Sequence, residues 1–449
     1  MQCRTLVTLG TFLLCCCATS SRDRAWLDGE LRRRIGSGTR HSETGSLPKG
    51  VDLKDGLDES EVAAIVLWRN PALRAELSRI DAARANLDEA RRPANPQLSV
   101  LGHFGPVSAV ATLVMPLESL WQIGPRSEAA ARDADATGEA VLMRALDLVR
   151  DARLSHVELG LAADKVSVRR GLADVASEVA RIAAVRASVG DISPMEERML
   201  ASDAKISEDA NEAARTELEL ARTRLTSQLA LDGPAKLTVQ AAFADQSGSP
   251  PALDDLLQIA RAARPDTRAA ELAIQAATAR VSLERRRMFN FTALVEAHWA
   301  QAAGPAQRLG GRAELPIFGA NVGSIGRSDA ELERALAQHE VVTRTVMLEV
   351  SFAYVQLVQA LHSRERFDKE VLPPLYEALS MALHSFEAGE VASVVVLDVL
   401  RRSGEARLRR AELLANQRRA LSELDRALGA RLQLAAELVQ HGSAADGGT

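Results

Sequence analysis

Residues 289–299 read FNFTALVEAHW, and their alternation decides the architecture. Phe289, Phe291, Ala293, Val295, Ala297 and Trp299 fall on one face of an extended strand. Asn290, Thr292, Leu294, Glu296 and His298 fall on the other. Successive strand residues point to opposite sides, so this is one apolar and one largely polar face. About ten residues is also what a tilted strand needs to cross a bilayer. The aromatics stand at the two ends, where membrane barrels carry interfacial girdles.

Three further runs share the pattern. Leu309, Gly311, Ala313, Leu315 and Ile317 alternate with Gly310, Arg312, Glu314, Pro316 and Phe318. Earlier, Leu98, Val100, Gly102 and Phe104 alternate with Gln97, Ser99, Leu101 and His103, and Val107, Ala109, Ala111, Leu113 and Met115 return. The two hairpins are placed at 97–117 and 289–318. A soluble hairpin with one dry face explains any single pair. It does not explain four such strands joined to helices too long for a compact domain. Four strands cannot close a barrel, for which about eight is the minimum. Closure requires an oligomer, and a trimer would supply twelve strands.

The chain around these hairpins is a duplication. Asn70-Pro71 and Arg264-Pro265 interrupt similar helical patterns, and His103-Phe104 matches His298-Trp299. Met115-Pro116-Leu117 matches Leu315-Pro316-Ile317, while Gly190 pairs with Gly389 and Gly233 with Gly429. All are offset by nearly the same interval. Two copies follow, 58–249 and 250–441, each ordered helix, hairpin, long helices, with a tail at 442–449. No proline falls between Pro125 and Pro194, between Pro316 and Pro373, or after Pro374. A helix of 60 residues would run about 90 Å and needs partners along its length. Val141, Ala145, Leu148, Ala152, Ser155, Leu159, Ala162 and Val166 supply a 3.5-residue seam, as do Met347, Val350, Tyr354, Leu357 and Leu361 in the second copy. Breaks are expected at Gly171 and at Pro373-Pro374.

Composition removes other classes. Among 449 residues, 55 basic and 60 acidic side chains give a net charge of −5, which argues against a nucleic-acid binder. The four cysteines, Cys3, Cys15, Cys16 and Cys17, all precede the body of the chain. Zinc clusters, disulfides and a catalytic thiol there are excluded. Arg4 followed by the apolar run to Leu14 reads as a secretory signal over 1–17. Its end resembles a bacterial lipoprotein site, with Cys17 or Cys16 as the lipidated residue. Residues 18–57 read as a flexible linker, and no later segment looks apolar enough for a spanning helix. His339-Glu340 lacks the second histidine of a zincin string. No P-loop, dinucleotide fingerprint or nucleophile elbow occurs, so no cofactor and no enzyme activity is expected.

This order of elements resembles the TolC-like outer-membrane efflux proteins over about 60–440. The resemblance rests on Arg69-Asn70-Pro71-Ala72-Leu73, Pro93-Ala94-Asn95-Pro96-Gln97-Leu98, Leu315-Pro316-Ile317-Phe318-Gly319 and the helix-tip turns at 186–193 and 385–393. Met115-Pro116-Leu117-Glu118 with Gly124-Pro125-Arg126 is similar to the cobalt–zinc–cadmium branch, which usually has Lys where Pro125 stands. The resemblance implies a mainly helical fold with a small β-barrel portion. It implies a trimeric α-barrel tunnel, four transmembrane strands per protomer, and a passive exit duct for small substrates such as divalent cations. It further implies an outer-membrane site with a large periplasmic portion, and docking on a periplasmic adaptor and an inner-membrane pump. Alternatives are a type I secretion duct or a non-transporting periplasmic coiled-coil or adaptor lipoprotein.

The tips also have a direct physical reading. Gly190 can adopt the left-handed conformation that ends a helix, and Ser193 can cap the next, with Pro194 first and Glu196 placed for a capping box. The resemblance assigns adaptor contact and gating to Arg186, Val189, Gly190, Ser193, Gly389 and Ser393. Asp191 and Glu390 follow the two glycines and would ring the tunnel mouth with carboxylates. Asn290, Thr292, Glu296, His298 and His103 are the barrel-lumen candidates; no metal-ligand set is assigned.

Overall fold

Asp58 accepts the Glu61 amide on its side chain while Glu61 returns to the Asp58 amide, a complete capping box that starts the helix Glu59–Arg69. In this computed structural model the described residues are 19–39, 47–48, 50–53, 55–102, 108–232, 237–238, 250–300, 304–314, 319–387 and 391–432. The elements are α1 (Arg24–Ile35), α2 (Glu59–Arg69), α3 (Pro71–Ala90), β1 (Gln97–Gly102), β2 (Ser108–Pro116), α4 (Glu118–Ser188) and α5 (Pro194–Gln228). They continue with α6 (Leu253–Ala263), α7 (Pro265–Arg286), β3 (Asn290–Ala300), β4 (Gly304–Glu314) and α8 (Val322–Arg366). A π-helical turn (Phe367–Val371), α9 (Leu372–Glu387) and α10 (Ser393–Leu428) complete the order. The chain is thus mainly helical with one small sheet. It divides into a unit of 1–27, 74–143 and 265–345 and a unit of 28–73, 144–264 and 346–449.

The first unit holds the sheet, antiparallel in the order β1-β2-β3-β4. Its register pairs Leu113 with Val295 and Val295 with Leu309, and on the other face Thr112 with Glu296 and Glu296 with Arg308.

In the second unit the long helices pack through small and aliphatic side chains. Val157 and Leu161 of α4 meet Ala411 and Ala415 of α10 in one buried cluster. Most of the α4 seam is buried as expected, but on α8 the buried row is Val346, Val350, Ala353, Leu357 and Ala360. The expected seam shares only Val350 and Leu357 with it. Tyr354 and Met347 are half-buried because the small Ala353 and Ala360 permit closer helix approach.

The X-Pro interruptions have matching roles here. Asn70 and Arg264 are both extended, as a residue before proline must be, with Pro71 and Pro265 starting the next helix. Asn70 Nδ2 donates to the Gln228 carbonyl at the end of α5 (3.0 Å). Arg264 Nη1 donates to the Ala427 carbonyl at the end of α10 (3.1 Å) and to Glu349 (2.6 Å). Each hinge residue thereby serves the orphan carbonyls of a long helix. Burial opposes ionisation of Glu349, but the hydrogen bonds from Arg426 and Arg264 outweigh it and hold its pKa below the usual carboxylate value.

Three expectations need correction. Residues 24–35, inside the stretch read as linker, form a helix because Leu27, Leu31 and Ile35 repeat every four residues and are all buried. Helix α4 runs through Gly171 unbroken; a single glycine costs about 1 kcal/mol, which packing over the rest of the helix absorbs. The second break is present, as the π turn, where the Leu372 amide reaches back to Phe367 before two prolines that have no amide to give. Finally, the helical stretch 322–382 does contain an 18-residue window of mean hydropathy 1.4, only 22% buried. That stretch carries Glu349, ion-paired to Arg264 and Arg426.

Candidate membrane face and helix-tip groove

The sheet is inverted relative to one from a soluble protein. The register gathers Leu98, Val100, Leu113, Met115, Phe291, Val295, Trp299 and Leu309 on one face. All eight are exposed, Leu309 to 84% and Leu98 to 68%. Every backbone position between them on that face is Ala, Gly or Pro except Gln307. Exposed contiguous apolar surface of this kind marks a contact with another apolar phase. Among the described residues β1 and β4 are the sheet's two edges, each with one side of its backbone outside the ladder.

The opposite face carries the expected lumen candidates. Glu296 and His298 are adjacent, His298 Nε2 lying 3.3 Å from Glu296 Oε2. Asn290 Nδ2 donates to Glu314 Oε2 (2.8 Å), and Thr292 stands across from Arg312. His103 lies outside the described residues. Among the described residues no group of three or more His, Cys, Asp or Glu could hold a metal ion.

At the end of α4 the turn is built as its sequence implies. Gly190 has φ +78°, the Asp191 amide bonds the Arg186 carbonyl (2.9 Å) and the Gly190 amide bonds Ala187 (3.1 Å). This pair of bonds is a Schellman motif. Arg186 Nε also donates to Asp191 Oδ2 (2.6 Å), so Asp191 is an ion-pair partner as well as a tip charge. Ser193 Oγ accepts the Glu196 amide (3.2 Å), one arm of the capping box. Val189 is 75% exposed. Gly389 and Glu390 lie outside the described residues, as do Cys16 and Cys17; of Ser393 only the backbone is described, at the start of α10.

Beyond this turn is a groove that the motif reading did not contain. About 480 Å³ in volume, it is floored by Leu172 of α4, Met199 and Ile206 of α5 and Leu397 of α10, with Glu196 and Asp203 on its rim. Met199 and Ile206 are exposed. Their spacing of seven residues, with Met195 four before Met199, was the available signal.

The first unit has one more built feature. Asp135, 2% exposed, accepts Ser20 Oγ (2.9 Å) and the amides of Ser21 (3.0 Å) and Arg22 (3.2 Å) on one oxygen. Arg22 Nε bonds Glu139 (2.7 Å), and its guanidinium lies 5.5 Å from the Trp26 ring. Gly138 makes room: a Cβ there would sit 2.7 Å from the Arg22 Cβ. Residues 20–22 are therefore clamped onto α4.

Comparison with known proteins agrees with this geometry. Residues 256–430 match the family model described as outer membrane efflux protein. A cobalt-zinc-cadmium resistance protein of Cupriavidus metallidurans, CzcC, is 28% identical over 377 residues, 80% of this chain and 86% of that one. A Pseudomonas aeruginosa membrane protein of known structure superposes with TM-score 0.72 at 19% identity, over 88% of this chain and 98% of that one. The open outer-membrane channel MtrE of Neisseria gonorrhoeae gives TM-score 0.68 at 18% identity, over 88% and 98%.

Proposed function

We propose that the chain is a member of the outer membrane efflux protein family and the passive exit duct of a tripartite efflux system. On this reading three copies close a twelve-stranded barrel in the outer membrane, and their long helices form a periplasmic tunnel. The observation that carries it is the exposed apolar sheet face with two open edges. In lipid every backbone polar group must be paired, and strands achieve this only by closing a barrel. Edge strands β1 and β4 of neighbouring copies would supply the missing bonds. A second apolar stripe supports self-association: Leu348, Phe352 and Val355 of α8 are 69%, 63% and 62% exposed beside the buried seam.

The tip turn at Arg186–Ser193 and the groove of Leu172, Met199, Ile206 and Leu397 suit the docking of a periplasmic adaptor, which would couple the duct to an inner-membrane pump. Divalent metal cations are the favoured cargo, because the curated relative is a cobalt-zinc-cadmium resistance protein. Glu296 and His298 on the polar face are compatible with cation passage. Nothing in this reading requires catalysis or a cofactor.

Lipidation at Cys17 or Cys16 is part of the proposal, with a geometric condition. Ser20 is held by Asp135, seventeen residues and so about 25 Å along α4 from Glu118. Three residues give Cys17 a reach of only about 10 Å from Ser20. An acylated Cys17 reaches the bilayer only with Ser20–Arg22 lifted from the clamp.

Fractionation tests the core of the proposal: a heat-modifiable, SDS-resistant trimer is expected in outer membranes. Release of all the protein by osmotic shock would refute it. Gene deletion should sensitise cells to cobalt, zinc or cadmium, and radioactive palmitate labelling reads the cysteines.

A further inference from the structure

A small cavity of about 20 Å³ lies where the end of α10 meets α4 and α1 in the second unit. Among the described residues Arg34, Arg150, Arg153, Arg426 and Arg431 line it with Ser422 and one acid, Asp425, and carboxylates behind the lining pair with Arg34 (Glu30) and with Arg150 (Asp151 and Glu423). Most of these arginines have partners elsewhere. Arg34 donates to the Ala263 and Gly429 carbonyls (both 2.8 Å), and Arg426 to Asp147 (2.9 Å) and Glu349 (2.6 Å). Arg153 Nη1 donates to Asp425 Oδ2 (3.1 Å).

Three buried donors remain unused. Among the described residues Arg153 Nε, Arg431 Nε and Ser422 Oγ have no hydrogen-bond partner, whereas Arg150 Nε lies 2.8 Å from the Asp151 carboxylate. Arg153 and Ser422 are 5% and 2% exposed. Arg153 Nε is 3.7 Å from Glu59 Oε1, beyond hydrogen-bonding distance. The one acid cannot serve them all, because Asp425 already takes Arg153 Nη1 and, on its other oxygen, the Leu432 amide (2.7 Å). Buried donors without acceptors are costly, and several converging on one void call for a species that only accepts. The volume admits one water-sized particle. Phosphate, sulfate and carboxylates are too large.

We propose that this cavity binds a monatomic anion of the chloride class, held by Arg153, Arg431 and Ser422. Bound there, the ion joins Arg153 of α4 to Ser422 of α10 and to Arg431 beyond its left-handed cap at Gly429. It supplies an acceptor where Arg34 and Arg264 already gather carbonyls from the end of α10.

The test uses the full chain in detergent. Crystals grown in bromide should show an anomalous peak within hydrogen-bonding reach of Arg153 Nε and Ser422 Oγ. The unfolding midpoint should rise saturably, by ~2–4 °C, when gluconate is replaced by chloride or bromide at constant ionic strength. Arg431→Gln should abolish that response and Ser422→Ala should weaken the apparent halide affinity about tenfold, both retaining the fold. A peak without anomalous signal, meaning water only, overturns the proposal. So does a halide response identical in wild type and both variants.

Discussion

Val295 and Leu294 are neighbours in sequence on opposite faces of β3, and they offer a sharp test of the membrane reading. Val295 is the sixth of the strand's eleven residues, lies across from Leu113 and Leu309, and is 42% exposed. If the apolar face meets lipid, this position lies near the bilayer midplane. An arginine there costs about 2–4 kcal/mol per copy, roughly thirty- to a thousandfold in equilibrium, and a closed trimer incurs it three times. Leu294 lies between Val114 and Gly310 on the face shared with Glu296 and His298, so an arginine there points into water. The assay is the yield of SDS-resistant, heat-modifiable oligomer from outer membranes. Val295→Arg is expected to lower it at least tenfold, and Leu294→Arg to leave it within about twofold. Equal losses in the two variants, or a greater loss at Leu294, would refute the face assignment. A soluble sheet would bury its apolar side against protein and would not show the exposure now present, and its product would not be a heat-modifiable oligomer in outer membranes.

Asp135→Ala should release the clamped segment by removing the acceptor of Ser20 Oγ and of the Ser21 and Arg22 amides, while Arg22 keeps Glu139; hydrogen bonds to a charged group contribute about 1.5–3 kcal/mol each, and the loss is read as new proteolysis near 19–27 and, if Cys17 is acylated, as unchanged or increased palmitate labelling. Gly190→Ala places a Cβ at φ +78°, a strain of about 1–2 kcal/mol that should weaken adaptor binding and metal resistance while trimer yield stays constant. Met199→Glu should lower adaptor pull-down severalfold, again without loss of trimer, since it adds charge to the apolar groove floor. Burial pushes Asp425 up to about 6 from 3.8, against the opposing charge of Arg153. Its folded form therefore binds the proton more tightly, and its contribution, about 3 kcal/mol, is complete below pH 3.8 and lost as pH rises to 6. Asp425→Asn should flatten the stability profile over that window relative to wild type. Burial also holds His156 below its usual value, though its ring donates to the Leu57 carbonyl (2.9 Å), and it contributes the opposite slope, losing stability below pH 6.5.

What could be read from the sequence was whatever is periodic or local. The two faces of β3 follow from alternation within eleven residues, and the tip at Gly190 from a cap grammar spanning six. The seam of α8 was offset because Met347 and Tyr354 look like core residues, yet alanines at 353 and 360 set the distance of approach. α1 escaped notice because its stripe of Leu27, Leu31 and Ile35 is diluted by arginines whose stems and ion pairs fill the other sides. Features that depend on distant residues were invisible: Asn70 meets Gln228 across 158 positions, Arg264 meets Ala427 across 163, and the groove draws on three helices.

The scarcity of aromatic residues, 3% of the chain, connects these outcomes. Aromatic side chains provide large buried area per residue, and helices that touch through Ala145, Ala152 and Ala162 leave no space for them. Stability along such helices must come from many short contacts and from ion pairs at their flanks, as between Arg150 and Glu423, Arg153 and Asp425, and Arg426 and Asp147. Phe289, Phe291, Trp299 and Trp121 can then be placed on the sheet and just beneath it, where they are exposed in the protomer at 62%, 43%, 46% and 38%. Exposure of that order is a defect in a monomer in water. It is the expected state of an interfacial girdle whose other half is lipid. The same distribution that makes this chain a poor soluble domain makes it a coherent membrane duct.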